Sequence, residues 1–364
     1  MLIYLFCLIW FLCLVSVLIF NKNNKLINFF LFALIVIAFA FKNNNGGDLY
    51  AYEANYSFGE FSSNYEIGYE CLKTICSFLK LPFAAFKIVI ALISSFFLYL
   101  SCKRITKYYA VVLLSTSTFL IAFLGIALRY CLAFSISIFA ITKLVTSKSK
   151  FKDLLYFVLL ILLASFFHTF ALICLVFALI CFMKYKWANR IISFLCIVLA
   201  AFGVASFFLK TAIDLTWFSS KLSFLDKSKE VYFIGEIYIG SALLSSLFLI
   251  SFFFQYFLFI TKKKDIIVRR FFYINILSLV FIPLVVMNQN FHRLFFITLF
   301  LNYISYAYLL GNNVVDTKLV FSFLNNRFAI KTLAVIDLFL WAFYLNFYRL
   351  NGINIISFLM DNAF

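Results

Sequence analysis

DLLYFVLLILLASFFHTFALICLVFALICFM, residues 153–183, decides how this chain must be read. Beyond Asp153 at its edge, His168 is its sole acidic, basic or histidine residue. An α-helix needs roughly 20 apolar residues to cross a hydrocarbon core about 30 Å thick, so the run is long for one crossing and short for two. Basic clusters decide between them: Lys148, Lys150 and Lys152 precede the run, and Lys184, Lys186 and Arg190 follow it. Cytoplasmic loops collect Lys and Arg, and a single crossing would strand one cluster on the wrong side. Two segments, 153–166 and 169–183, keep both inside, with His168 near the outer tip of a tight or re-entrant hairpin. Such short segments are tolerated at membrane depth where they are buried in protein or line a cavity.

The rest of the chain repeats the pattern. Of its 364 residues 66% are hydrophobic and 12% charged, against about 25% charged in soluble domains. Spans are expected at 2–20, 26–41, 83–100, 108–124, 126–145, 153–166, 169–183, 191–209, 237–260, 271–287, 294–310 and 332–348. The expected fold is an all-α, polytopic integral membrane protein of about twelve transmembrane helices, with both termini outside. That orientation puts twenty of the 31 cations inside, among them Lys262, Lys263, Lys264, Arg269 and Arg270, and ten of the 14 acids outside. The net charge of +17 is thus accounted for by topology, and no nucleic-acid partner is called for. The first span, Leu2 to Phe20, lacks the basic start and small-residue cleavage site of a signal peptide and is expected to stay in the mature protein. The 54 Phe fit biased codon usage as readily as a Phe-lined channel, and most should face lipid or neighbouring helices.

Residues 1–364 read as one transmembrane domain with two long outer loops, 42–82 and 210–236. The inner loops are little more than basic stitches, so function is expected on the outer face. Ionisable residues within membrane segments are expensive and mark functional sites by default. Arg129, His168, His292 and Arg293 all fall at outer ends of spans, Arg129 about one turn into its helix, and Arg129, His168 and Arg293 share one leaflet, as expected if they line a single outward-opening cavity. The bland alternatives are snorkelling arginines and hydrogen-bonded packing histidines. Two guanidiniums at headgroup level suit a lipid pyrophosphate, because a planar fork of donors binds phosphate oxygens bidentately and stays charged.

The first outer loop adds Asp48, Glu53, Glu60, Glu66 and Glu70, interleaved with Tyr50, Tyr52, Tyr56, Tyr65 and Tyr69. Carboxylates accept sugar hydroxyl protons and aromatic rings cover apolar sugar faces, although any one of these acids could be solvated loop surface. Asp48 after Gly46-Gly47 and Glu66 before Gly68 carry the most weight. Zinc-protease, phosphate-loop and nucleophile-elbow motifs are absent, so neither metal nor cofactor is expected. Cys71 and Cys76 are five residues apart on an expected helix and point to different faces, so no disulfide is expected.

This constellation resembles the Wzy/EpsG class of bacterial polysaccharide polymerases, and more closely its EpsG-like branch. In that family a Gly-Asp-Tyr-like and a Glu-x-Gly-Tyr-like segment occupy the first large outer loop, similar to GGDLYAY at 46–52 and EIGYECL at 66–72. An Arg-led helix similar to 128–140, a Phe-His hairpin similar to 166–172 and a late Arg similar to Arg293 follow in the same order. Family members often carry Gln after the helix-leading Arg, where this chain has Tyr130, and after about residue 190 the match is mainly one of hydropathy.

The resemblance implies a membrane glycosyltransferase of the bacterial inner membrane, working at its periplasmic face on O-antigen, capsule or exopolysaccharide. The partners implied are undecaprenyl-pyrophosphate-linked oligosaccharide, membrane lipid and a chain-length regulator protein. Arg129 and Arg293 would stabilise the pyrophosphate leaving group, and Asp48, Glu66 or His168 would serve as base. Tyr50, Tyr52, Tyr69, Tyr130 and His292 would contact substrate. The competing expectations are an O-antigen ligase or acyltransferase with a similar site, a lipid-linked oligosaccharide flippase or other transporter, and a structural membrane subunit.

Overall fold

Apolar residues that need somewhere to go, and hydroxyls and amides that need partners, set the architecture of the computed structural model. It describes residues 25–40, 48–58, 65–108, 112, 127–147, 151–208, 239–262, 264–287, 289–311 and 327–343. The expected spans at 2–20 and 108–124, apart from Tyr108 and Val112, and the loop 210–236 lie outside these residues. Every regular element among the described residues is helical. Five helices are long and apolar enough to cross a membrane, namely Phe83–Ile105, Leu128–Thr146, Lys186–Ala205, Leu243–Thr261 and Arg293–Gly311. The protein is a multi-pass membrane protein.

The chain divides into two compact units. The first, residues 1–175, 303–315 and 326–364, holds α1 (Lys25–Ala40), α2 (Asp48–Phe58), α3 (Ile67–Phe78), α4 (Phe83–Ile105), α5 (Leu128–Thr146) and α6 (Phe151–Ser165). α5 is apolar nearly all round and is buried nearly all round, packed between α4 and α6, as expected of a helix without a polar face. Its Ser135 and Thr142 hydroxyls return to the carbonyls of Leu132 and Phe139, at 2.9 and 3.0 Å. α2 and α3 occupy the long loop expected at 42–82, joined to α4 by a helix end with Lys80 at φ 54°. Lys80 N–H donates to Ser77 O (2.9 Å) and Leu81 N–H to Cys76 O (3.0 Å), the paired bonds of a left-handed helix cap.

Residues 153–183 form two helices: α6, then a 3₁₀ helix at Thr169–Cys181, with His168 in the break. Runs of 3₁₀ helix beyond a few residues are uncommon, but at about 2.0 Å per residue thirteen residues extend about 26 Å, against about 20 Å as α-helix.

The second unit, residues 176–302 and 316–325, holds α7 (Lys186–Phe208), α8 (Ile239–Thr261), α9 (Ile266–Ser278), α10 (Phe281–Met287) and a 3₁₀ turn at Gln289–His292. α11 (Arg293–Gly311) starts here and finishes in the first unit, where α12 (Arg327–Phe343) also belongs. The span expected at 271–287 is two helices. Pro283 has no N–H for the carbonyl of Leu279 and its ring crowds that carbonyl, so the chain passes 279–280 through i→i−3 bonds of 3.1–3.2 Å. The first of the two begins at Ile266, because Asp265 caps it through the N–H groups of Ile267 (2.8 Å) and Val268 (3.2 Å). Arg269 and Arg270, expected in a loop, therefore sit in its first turns, and Lys331 likewise lies within α12. α9 and α11 are joined by reciprocal amide bonds between Asn275 and Asn302 (2.7 and 3.1 Å) and a hydroxyl contact between Ser278 and Thr298 (2.6 Å). Such pairs hold helices together where lipid supplies no hydrophobic drive.

Candidate functional site

α5 starts at Leu128, so Arg129 lies in its first turn, nearer the helix end than expected. Glu66 immediately precedes α3 in extended conformation (φ −68°, ψ 143°) and makes no side-chain cap bond to its own helix. Its carboxylate is turned to Arg129, whose Nη1 donates to Glu66 Oε2. The other carboxylate oxygen accepts the N–H of Thr169 at 3.3 Å. One carboxylate thus ties together the head of α3, the head of α5 and the start of the 3₁₀ helix.

Gly68 fixes this geometry. Its N–H donates to the carbonyl of Phe166 (2.8 Å), freed where α6 breaks, and a Cβ there would stand 2.7 Å from that oxygen. Backbone cannot swing away as a side chain tip can, so Gly68→Ala must push α3 off the break, at an overpacking cost of about 1–3 kcal/mol. The expected result is a lower melting midpoint in detergent together with weaker chain extension. An unchanged midpoint with full activity would mean that the contact is not made.

Tyrosines surround the guanidinium. Arg129 Nε donates to the Tyr52 hydroxyl (3.1 Å), and its Cζ stands 5.6 Å from the Tyr52 ring centroid and 4.6 Å from that of Tyr65, within cation–π range. Tyr52, Tyr65 and Tyr69 form a triangle with centroids 5.5–5.7 Å apart. Tyr69 is fully buried and meets Phe86 edge-on at 5.6 Å. Burial, reinforced by Tyr52 and Tyr65, pushes its phenol well above the ordinary tyrosine range, so it stays protonated at any working pH. Below it, Tyr56 packs on Phe86 at 5.0 Å and donates to Leu81 O at 2.7 Å.

His168 Nδ1 accepts the N–H of Phe170 at 3.3 Å. A nitrogen acting as acceptor carries no proton, so the neutral ring is the Nε2–H tautomer. The 3.9 Å separation of Nδ1 from Glu66 Oε1 is too long for a hydrogen bond and the pair is no ion pair in this tautomer. Tyr130 is buried, edge-on to both His168 and Phe170 at 5.9 Å.

The structure therefore brings together Tyr52, Glu66, Tyr69, Arg129, Tyr130 and His168 of the residues expected at the site. Tyr50 is exposed on α2. Asp48 opens α2, and its side chain lies outside the described ones. His292 and Arg293 belong to the second unit, where buried His292 meets Phe296 edge-on at 5.0 Å and Arg293 heads α11. Tyr65, expected only as one of the loop tyrosines that would cover sugar faces, lies against Arg129 instead, and the Thr169 N–H was not foreseen as part of the site. The alternation of tyrosines and acids marked Tyr65 without marking its partner, and a backbone N–H has no sequence signal at all. Among the described loop acids Glu53, Glu66 and Glu70, Glu70 alone is buried, paired with buried Lys73 at 2.7 Å.

The chemistry available is that of an anion site: a guanidinium within cation–π range of two tyrosine rings, with a carboxylate alongside it. Among the described residues no group of His, Cys, Asp and Glu could hold a metal ion. The EpsG family matches residues 25–355. The chain belongs to the EpsG family. No curated protein and no solved structure matches it. The family match takes in every residue of the Arg129–Glu66 cluster as well as Arg293.

Proposed function

We propose that this EpsG family protein is a polysaccharide repeat-unit polymerase that transfers a growing glycan from undecaprenyl pyrophosphate to a new lipid-linked unit. The observation carrying the reading is Arg129, fixed between Tyr52, Tyr65 and Glu66 at the head of a buried, membrane-length helix. In this reading the acceptor sugar hydroxyl attacks the anomeric carbon of the donor as its bond to the pyrophosphate oxygen breaks. The hydroxyl proton goes to a carboxylate, and the electron pair leaves on the lipid pyrophosphate. Arg129 takes up that developing charge, because phosphate oxygens and the Glu66 carboxylate are alternative partners for the same guanidinium edge. Glu66 is the base we favour over His168, whose basic nitrogen already accepts the Phe170 N–H. Asp48 remains the other candidate. Arg293 is proposed as a second phosphate-binding cation, and Tyr50, Tyr52, Tyr69, Tyr130 and His292 as substrate contacts.

The proposal includes about twelve crossings with both termini outside, one transmembrane domain with 42–82 and 210–236 as outer loops, a site at the periplasmic face of the inner membrane, and a chain-length regulator as partner. A strain lacking the protein should still make, flip and attach single repeat units, giving a one-unit surface glycan instead of a ladder. Electrophoresis of that glycan and mass analysis of the lipid-linked pool test this. Full-length polymer left on undecaprenyl pyrophosphate would mean a ligase, and units trapped on the inner leaflet a flippase.

A further inference from the structure

α3 is amphipathic with its faces reversed. At about 100° per residue, Ile67, Cys71, Thr74, Ile75 and Phe78 fall within one narrow stripe. All five are exposed, Phe78 at 85%, with Leu79 following at 60%. The single hydroxyl on the stripe, Thr74, is turned back onto its own helix, donating to Glu70 O at 2.9 Å. The helix's two charged residues lie on the opposite side and are buried: Glu70 pairs with Lys73 at 2.7 Å, and Lys73 Nζ donates to Asn55 Oδ1 of α2 at 3.0 Å. A helix facing water does the opposite. Hiding an ion pair while showing Ile and Phe to water loses free energy on both faces. Against hydrocarbon both choices become favourable, because outward charges would be the expensive ones.

The connections place α3 at the right level. At its start, Gly68 N–H is bonded to Phe166 O at the end of apolar α6. At its other end only residues 79–82 separate it from α4, a membrane-length helix, and four residues reach at most about 14 Å. We infer that α3 lies along the membrane surface with the Ile67–Cys71–Ile75–Phe78 stripe immersed in the acyl chains of the leaflet that borders the Glu66–Arg129 pair. The segment expected as a solvated loop is then a monotopic helix about 18 Å long. It seats Glu66, the residue just before it, at headgroup depth. Exposed Lys80 at its C-terminal end is left to reach lipid phosphates. This inference rests on the protein being a membrane protein and stands apart from the polymerase reading.

Cys71 is a free, exposed thiol on the stripe and serves as the reporter. The full chain, reconstituted in phosphatidylethanolamine–phosphatidylglycerol vesicles with the other cysteines replaced, is labelled at Cys71 with bimane. Lipids bearing a nitroxide on the acyl chain should quench the label at least several-fold more than aqueous iodide does. Dominant iodide quenching would return α3 to a solvated loop, and quenching by neither would mean that protein or a second copy covers the stripe. Either result overturns the inference. As a check that needs no substitution, Cys71 in the native chain should react with a lipid-soluble maleimide and resist a membrane-impermeant one, read by mass spectrometry of its peptide. Equal reaction with both, or with neither, overturns it as well.

Discussion

Arg129→Ala is expected to stop chain extension while the protein still inserts in the membrane. Loss of one preorganised donor to a developing oxyanion costs about 10²–10³-fold in rate, and Arg129 brings a full charge as well as its donors. Lysine should rescue poorly. A single ammonium cannot reproduce separate donors to the Tyr52 hydroxyl and to Glu66 while keeping its charge over the Tyr65 ring. The alanine variant also leaves Glu66, 15% exposed, beside an unfilled position, and a stranded carboxylate can destabilise the fold by itself. The double variant Glu66→Gln with Arg129→Ala separates the two effects. It should regain membrane level and melting midpoint without regaining polymer. Long polymer at normal protein level from Arg129→Ala would refute the leaving-group role.

What the sequence could say about this site follows from which features leave a residue-type signature. Arg129 and His168 were legible because charge and imidazole are rare within apolar runs. Glu66 gained weight from Gly68, and the structure gives the physical content of that spacing: the glycine admits Phe166 O, which brings the carboxylate to the helix break. Their direct partnership was not legible, since Glu66 and Arg129 are separated by helices whose packing leaves no local pattern. The burial of Glu70 with Lys73 was hidden because an acid and a lysine three residues apart look the same on a solvated helix. The apolar helices of the described chain were readable from hydropathy, whereas α2 and α3, within the loop expected at 42–82, and the helix ends were not. Asp265 extends α9 beyond its apolar stretch, and Pro283 splits a run that hydropathy treats as one. The winding of 169–181 as 3₁₀ helix was equally hidden, because an evenly apolar sequence has no face to mark its period.

Glu66→Gln is the sharper test of mechanism, because it preserves shape while removing one charge. The amide oxygen can still accept the Thr169 N–H, so α3, α5 and the 3₁₀ helix should stay joined. The amide cannot take a proton from an acceptor hydroxyl, and it holds the guanidinium more weakly than a carboxylate does. If Glu66 is the base, extension should fall by about 10²–10⁴-fold, with binding of lipid-linked substrate retained. If Glu66 merely orients Arg129, glutamine should keep most of the rate. Glu66→Asp distinguishes further: it keeps the charge but is one methylene shorter, so it cannot reach both Arg129 and Thr169 from the same backbone position. A base needs reach as well as charge, and aspartate should therefore also be slow. Single-turnover extension of a short lipid-linked primer, measured beside substrate binding, reads these outcomes directly. Near-normal extension by Glu66→Gln, with His168→Gln inactive, would move the base to His168 and leave Glu66 as the residue that positions Arg129.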